Sequence, residues 1–197
     1  MCNCYDVIIN EENKEKCRSI ARNLVKKNFT EFPDQWMEVE QLEISYKDQL
    51  FPKYQIVYYS DEGNEVAFFV FSCENIEKGN QLELFYLHMW QSAYMNAIRK
   101  MLVDMIKEQI SDLPSFHSGI MGPGYGEVGM EELDTYCKRA KAENIGVVVE
   151  NRHLSPAQSC VGAIYFASQP FTKTVSPCTT CKSAGKNCSL FCIFGDK

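Results

Sequence analysis

Lys53-Tyr-Gln-Ile-Val-Tyr-Tyr-Ser60, then Asp61-Glu-Gly-Asn64, then Glu65-Val-Ala-Phe-Phe-Val-Phe-Ser72: this stretch decides how the chain is read. Both outer runs are dense in aromatic and β-branched residues, which suit a pleated surface, and the four residues between them are turn formers. The pattern predicts a β-hairpin. Upstream, Val39 to Tyr46 carries Leu42, Ile44 and Tyr46 at every second position. That alternation predicts a third strand, with Glu38, Glu40 and Glu43 on its wet side.

Around this nucleus the period changes from two to 3.6. Cys17, Ile20, Ala21, Leu24 and Val25 fall on one helical face; Glu11 and Glu12 stand near its start, Lys26 and Lys27 near its end, and Pro33 closes it. A longer stripe through Leu87, Trp90, Tyr94, Ile98, Leu102 and Ile106 predicts a second helix from about Leu87 to Ile110. Its aromatic and methionine content suits core packing against a sheet. After Pro114 come the glycine-rich segment Gly119 to Gly129, a helix from Glu131 to Glu143, a strand from Ile145 to Glu150, a loop, and a strand from Val161 to Ala167. The expected class is α+β: an antiparallel twisted sheet with flanking helices, covered on one face. One domain over residues 1–176 accounts for all of it, followed by a cysteine-rich tail at 177–197.

With 197 residues, 45% of them hydrophobic, the chain can build a core without outside staples. A net charge of −6 and a pI near 5.2 exclude nucleic acid as the main partner, because phosphate binding depends on clustered Lys and Arg. No apolar run approaches the roughly 20 residues that cross a bilayer, and no export signal opens the chain. The expectation is a cytoplasmic protein without a membrane partner.

Ten cysteines are many for that setting. In a reducing compartment they point to metal or redox chemistry rather than disulfides. Cys178-Thr-Thr-Cys181, Cys188 and Cys192 crowd the tail, and four thiolates at this spacing suit tetrahedral zinc or an iron-sulfur cluster. Redox-active free thiols and structural disulfides are the other readings. Phe191, Ile193 and Phe194 would dry such a site or dock the tail. Cys2 and Cys4 are expected to be exposed, and Cys17, Cys73, Cys137 and Cys160 to be inert small hydrophobes in helices and strands. His88, His117 and His153 lack helical metal spacing and read as surface or cap residues; His153 lies nearest the suspected site. No serine or cysteine hydrolase motif occurs.

Gly124, Gly126 and Gly129 match the G-x-G-x-x-G spacing, and Glu150 stands where a ribose-binding acid would. The fingerprint also needs a buried parallel strand before the loop, and Leu113 to Gly119 is too polar and broken to supply one. A purely structural glycine turn is the simpler alternative.

The order Gly122-Pro123-Gly124-Tyr125-Gly126, an acidic helix, Ile145-Gly146-Val147 with Glu150, Leu154-Ser155-Pro156-Ala-Gln-Ser159 and Val161-Gly-Ala-Ile-Tyr-Phe166 resembles the activation domain of cobalamin-dependent methionine synthase. It also resembles free-standing clostridial-type proteins that share that core. The likeness spans roughly Leu87 to Pro170. It implies an antiparallel sheet and a groove for S-adenosylmethionine facing the corrinoid of a partner. It assigns Gly122, Gly124, Tyr125, Gly126, Glu150, Ser155, Pro156 and Ser159 to that groove. The family's carboxylate-binding arginine upstream of the Gly-Tyr pair is replaced by the Ile120-Met121 stretch, and Arg152 is the nearby candidate to stand in for it. Cysteine-rich tails in the free-standing relatives favour iron-sulfur. The function implied is that of an accessory protein reactivating or docking on a corrinoid-binding protein or methyltransferase. The alternatives are a non-catalytic, zinc-stabilised interaction module and a nucleotide-dependent oxidoreductase using the glycine loop.

Overall fold

The structure is a computed structural model and describes residues 3–61, 64–125 and 128–171. The four tail cysteines Cys178, Cys181, Cys188 and Cys192 lie outside the described residues, as do Cys2 and Gly126. In chain order the elements are β1 (Asn3–Asp6), α1 (Glu11–Lys26), α2 (Pro33–Leu50), β2 (Lys53–Asp61), β3 (Asn64–Ser72), α3 (Gln81–Gln109), β4 (Phe116–His117), α4 (Leu133–Arg139), β5 (Val148–Glu150), β6 (His153–Ser155) and β7 (Ser159–Ala167). The main sheet has the order β1-β2-β3-β7-β4 with every pairing antiparallel, and β5 and β6 form a separate hairpin. The class is α+β, with helices flanking an antiparallel sheet.

The expected β2–β3 hairpin is present, with Lys53 opposite Ser72 through Ser60 opposite Glu65. Helix α1 also follows its sequence pattern. Asn10 caps it by accepting from the Asn13 N–H at 2.8 Å, and Asn13, Cys17, Ala21 and Val25, four residues apart, form its buried face. Helix α3 begins before Leu87, at Gln81, where Asn80 and Glu83 close a capping box. Its stripe is core: Leu87, Trp90, Tyr94, Ile98, Leu102 and Ile106 are essentially inaccessible.

Val39 to Tyr46 is not a strand. It lies within α2, which Pro33 opens at a first-turn position instead of closing α1. Trp36, Val39 and Leu50 are buried, with Leu42 and Tyr46 packed against the same core, and these positions recur at intervals of three and four. Ile44, the middle of the apparent alternation, is exposed. The acids take helical roles as well: Glu40 pairs with Arg22, and Glu43 accepts from Tyr94.

The sheet is covered on both faces, not one. Ile56, Phe69, Phe71, Ile164 and Phe166 point toward α1, α2 and α3, whereas Phe68, Val70, Val161 and Ala163 pack with α4 and the β5–β6 hairpin. Helix α4 is shorter than Glu131 to Glu143. It is flanked by 3-10 turns at Met130–Glu132 and Ala142–Ile145, and Lys141 has φ +53°. The expected strand from Ile145 starts only at Val148, and the loop after Glu150 is a tight turn in which Asn151 and Arg152 both have positive φ. Two such residues are what a type I′ hairpin turn requires.

Candidate functional site

After β4 the chain runs beside β7, where Met121 and Ala163 exchange backbone hydrogen bonds of 2.9 and 2.7 Å. It then turns back on itself, with Tyr125 N–H donating to the Gly122 carbonyl at 2.9 Å. Gly124 makes this possible with φ +83°, a region that side chains disfavour. The turn swings the Tyr125 phenol against β7, where it donates to the Val161 carbonyl at 3.0 Å. Two glycines leave room for it. A Cβ at Gly162 would stand 2.5 Å from the phenol oxygen and 2.6 Å from Phe69 Cζ, and one at Gly122 would run into the tyrosine ring.

Beside Tyr125 lies an open groove of about 330 Å³, within the size range of small-molecule sites. The glycine turn contributes Pro123 and Tyr125 to it, and the approach to α4 adds Met130 and Leu133. The β5–β6 hairpin supplies Arg152, His153 and Leu154. Ala157, Ser159, Cys160 and Val161, leading into β7, complete it. Segments about thirty residues apart in sequence therefore share one concave surface. Of the residues expected there, Tyr125 and Ser159 line it. Gly122 and Gly124 shape the turn behind it, and Ser155 lies in β6 opposite Val148. Pro156 is exposed between β6 and β7, and Glu150 is exposed on β5 opposite His153.

Arg99 of α3 stands near the Tyr125 ring. Its guanidinium lies 5.9 Å from the centre of the Tyr125 ring, and its Nε is buried with no hydrogen-bond partner among the described residues. Burial pushes the Tyr125 phenol above its ordinary pKa, with Arg99 opposing. Cys160 is raised by burial too, against the pull of Arg99 and a backbone hydrogen bond at Phe71. A thiol held in this way is a poor nucleophile at neutral pH. Gly162 and Arg99 carried no sequence signal, since each matters only through a tertiary contact with Tyr125.

The other described cysteines fit their sequence reading. Cys17 and Cys73 are pushed up to about 12 by burial, Cys137 to about 11, and Cys4 is exposed. His88, His117 and His153 are all exposed. Among the described residues no group of three or more His, Cys, Asp or Glu side chains is placed to hold a metal ion. No helix among them is long and apolar enough to cross a membrane. The parallel strand that a dinucleotide fingerprint needs before its glycines is also missing there; the preceding strand, β4, is two residues long and antiparallel to β7.

A second depression of about 470 Å³ adjoins the groove and shares Met130, Leu133 and Arg152 with it, adding Glu131 and Asp134. A third, about 490 Å³, lies between α2 and the start of α3, lined by Met37, Leu42, Leu82 and Tyr86 among others. It is remote in sequence from the glycine turn. In comparisons with known proteins, no family model, curated protein or solved structure matches the chain.

Proposed function

We propose that this protein is an accessory factor of corrinoid-dependent methyl transfer, which docks on a cobalamin-carrying partner and helps return its cobalt to the active state. The observation that carries the reading is the meeting of Tyr125 with Ala157 and Ser159 of the Ser155 to Ser159 loop on one groove. These are the segments that the resemblance to the methionine synthase activation domain assigns to S-adenosylmethionine. The groove suits such a ligand: Met130, Leu133, Leu154 and Val161 offer apolar contact, and Tyr125 offers an aromatic edge. S-adenosylmethionine would supply the methyl group, while this chain's residues bind and orient it. At the C-terminus, Cys178, Cys181, Cys188 and Cys192 are the proposed ligands of an iron-sulfur cluster or zinc.

Two measurements test this. Calorimetric titration with S-adenosylmethionine should give saturable heat, lost on Tyr125→Ala; a flat titration removes the methyl-donor role. Anaerobic purification followed by absorption spectroscopy and metal analysis should show a coloured iron-sulfur protein. A colourless protein with one zinc removes electron delivery and leaves a zinc-stabilised interaction module.

A further inference from the structure

Among the described residues ten large hydrophobic side chains are exposed, and half of them, Phe32, Met37, Ile44, Leu82 and Phe85, fall on α2 and its cap or on the first turns of α3. Apolar groups gathered in this way mark a contact surface, whereas scattered ones need no explanation. Between the two helices lies the groove of about 490 Å³, in which Met37 is 64% and Leu82 54% exposed. Tyr86 lines it too; the residue is only 7% exposed, and its hydroxyl has no hydrogen-bond partner among the described residues. The charged side chains that line the groove, Glu38 and Glu83, are both acids, and the basic residues nearest in sequence, Lys47 and Lys78, do not reach it. Glu83 is committed to the Asn80 cap, whereas Glu38 is exposed and makes no ion pair among the described residues.

The chain carries a segment of matching chemistry. Beyond Phe171, Lys173, Lys182, Lys186 and Lys197 stand against Asp196 alone, a net +3, so that residues 1–171 hold −9 within the total of −6. The apolar run Leu190-Phe191-Cys192-Ile193-Phe194 lies between Lys186 and Lys197. Residues 172–189 extend to about 60 Å and the whole of α3 is about 44 Å long, so the run reaches the groove even from the far end of that helix. The acidic body of a second copy would instead bring like charge to Glu38 and Glu83. We propose that the groove between α2 and α3 is the docking site of this chain's own C-terminal segment, with Leu190 to Phe194 against Met37, Leu82 and Tyr86 and the flanking lysines beside Glu38 and Glu83. The proposal goes beyond the function proposed above and does not rest on the groove beside Tyr125. Exposed ion pairs contribute little, so the apolar run holds the segment and the lysines set its placement.

Backbone amide shifts of the full chain are compared with those of Phe191→Ser/Phe194→Ser. Loss of the two rings should move the amides of Met37, Gln41, Leu82 and Tyr86 and leave those across β2 and β3 unchanged, which verifies the fold. Leu82→Glu, at an exposed position, should in turn move the Phe191 and Ile193 amides. A synthetic peptide of residues 186–197, with serine for Cys188 and Cys192, then probes the vacated groove. It should bind the Phe191→Ser/Phe194→Ser chain about fivefold or more tightly than wild type, whose tethered segment competes at millimolar effective concentration. Glu38→Lys in that chain should weaken the peptide about threefold. Groove amides that stay in place on Phe191→Ser/Phe194→Ser, or a peptide that binds both chains equally, overturn the proposal. Light scattering identifies the occupant: a monomer at every concentration supports docking within one chain. A dimer that Phe191→Ser/Phe194→Ser dissociates gives the groove to a second copy and overturns it.

Discussion

The Tyr125 phenol occupies the space that a side chain at Gly162 would need: a Cβ there would stand 2.5 Å from its oxygen, on the strand whose Val161 carbonyl the same phenol caps. The groove's aromatic wall thus depends on a missing methyl group in β7. Gly162→Ala should destabilise the protein by about 1–3 kcal/mol, the usual cost of overpacking a tight site. Tyr125→Phe, which removes only the hydroxyl, should cost about 1 kcal/mol. Urea denaturation measures both. A Gly162→Ala protein as stable as wild type would mean that Tyr125 is not seated against β7.

Helix α3 starts where the Asn80 side chain accepts from the Leu82 and Glu83 N–H groups at 3.0 Å and the Glu83 carboxylate accepts from the Asn80 N–H at 2.8 Å. Asn80→Ala should lower stability by about 1 kcal/mol, while Asn80→Ser, which caps nearly as well, should retain most of it. Equal stability of the two variants would contradict the cap.

These elements divide according to what their residues reveal alone. The hairpin, α1, α3 and β7 were legible as elements because β-rich composition or helical periodicity marked each of them, but not all their ends were: Pro33 opens α2 instead of closing α1, and α3 starts at Gln81, before Leu87. Helix α2 was not, because Leu42, Ile44 and Tyr46 imitate a strand over five residues. The longer spacing of Trp36, Val39, Leu42, Tyr46 and Leu50 shows the helix, and Ile44 turns out to face solvent. Coverage of both sheet faces was written in Val66-Ala-Phe-Phe-Val-Phe71, six consecutive apolar residues where a sheet with one wet face would alternate. Strand β1 is four exposed residues paired only to β2, too short to leave a pattern. At the groove, the motif order singled out Tyr125 and Ser159. Gly162 and Arg99 stayed invisible because only the fold brings them to the tyrosine.

Three buried thiols make a prediction about pH. Burial pushes the Cys17 and Cys73 thiols up to about 12 and Cys137 to about 11, above the ordinary thiol value of about 9 at which an unfolded chain loses those protons. Between these values the unfolded state binds fewer protons than the native one, so stability is fully present below pH 9 and falls as pH rises toward 11 or 12. Cys17→Ala should flatten that decline by up to about 1.4 kcal/mol per pH unit. Urea denaturation at pH 8 to 10.5 provides the slopes, and identical slopes for variant and wild type would rule out burial as the cause. At pH 8 these three thiols should also resist alkylation in the native protein while the exposed Cys4 reacts.

Glu43 provides the sharpest check on α2. Its carboxylate accepts from the Tyr94 phenol at 2.5 Å, and the Arg18 Nε stands 3.4 Å away, so one acid ties α1, α2 and α3 together in a largely buried position. Burial first, and then this hydrogen bond, raises the Tyr94 phenol above its ordinary pKa. Glu43→Ala should therefore cost about 1–3 kcal/mol, because it leaves the buried Tyr94 hydroxyl without its acceptor, while Arg18 keeps its pairing with Glu15. Tyr94→Phe should cost about 1 kcal/mol. Because the two residues touch, the double variant should be less destabilised than the sum of the singles by about 1 kcal/mol or more. If residues 39–46 were instead a strand with Glu43 on its wet side, the carboxylate would have no buried partner to lose. Glu43→Ala would then be nearly silent and the two substitutions additive. A double-mutant cycle by urea denaturation thus discriminates between the helical and extended forms of this segment.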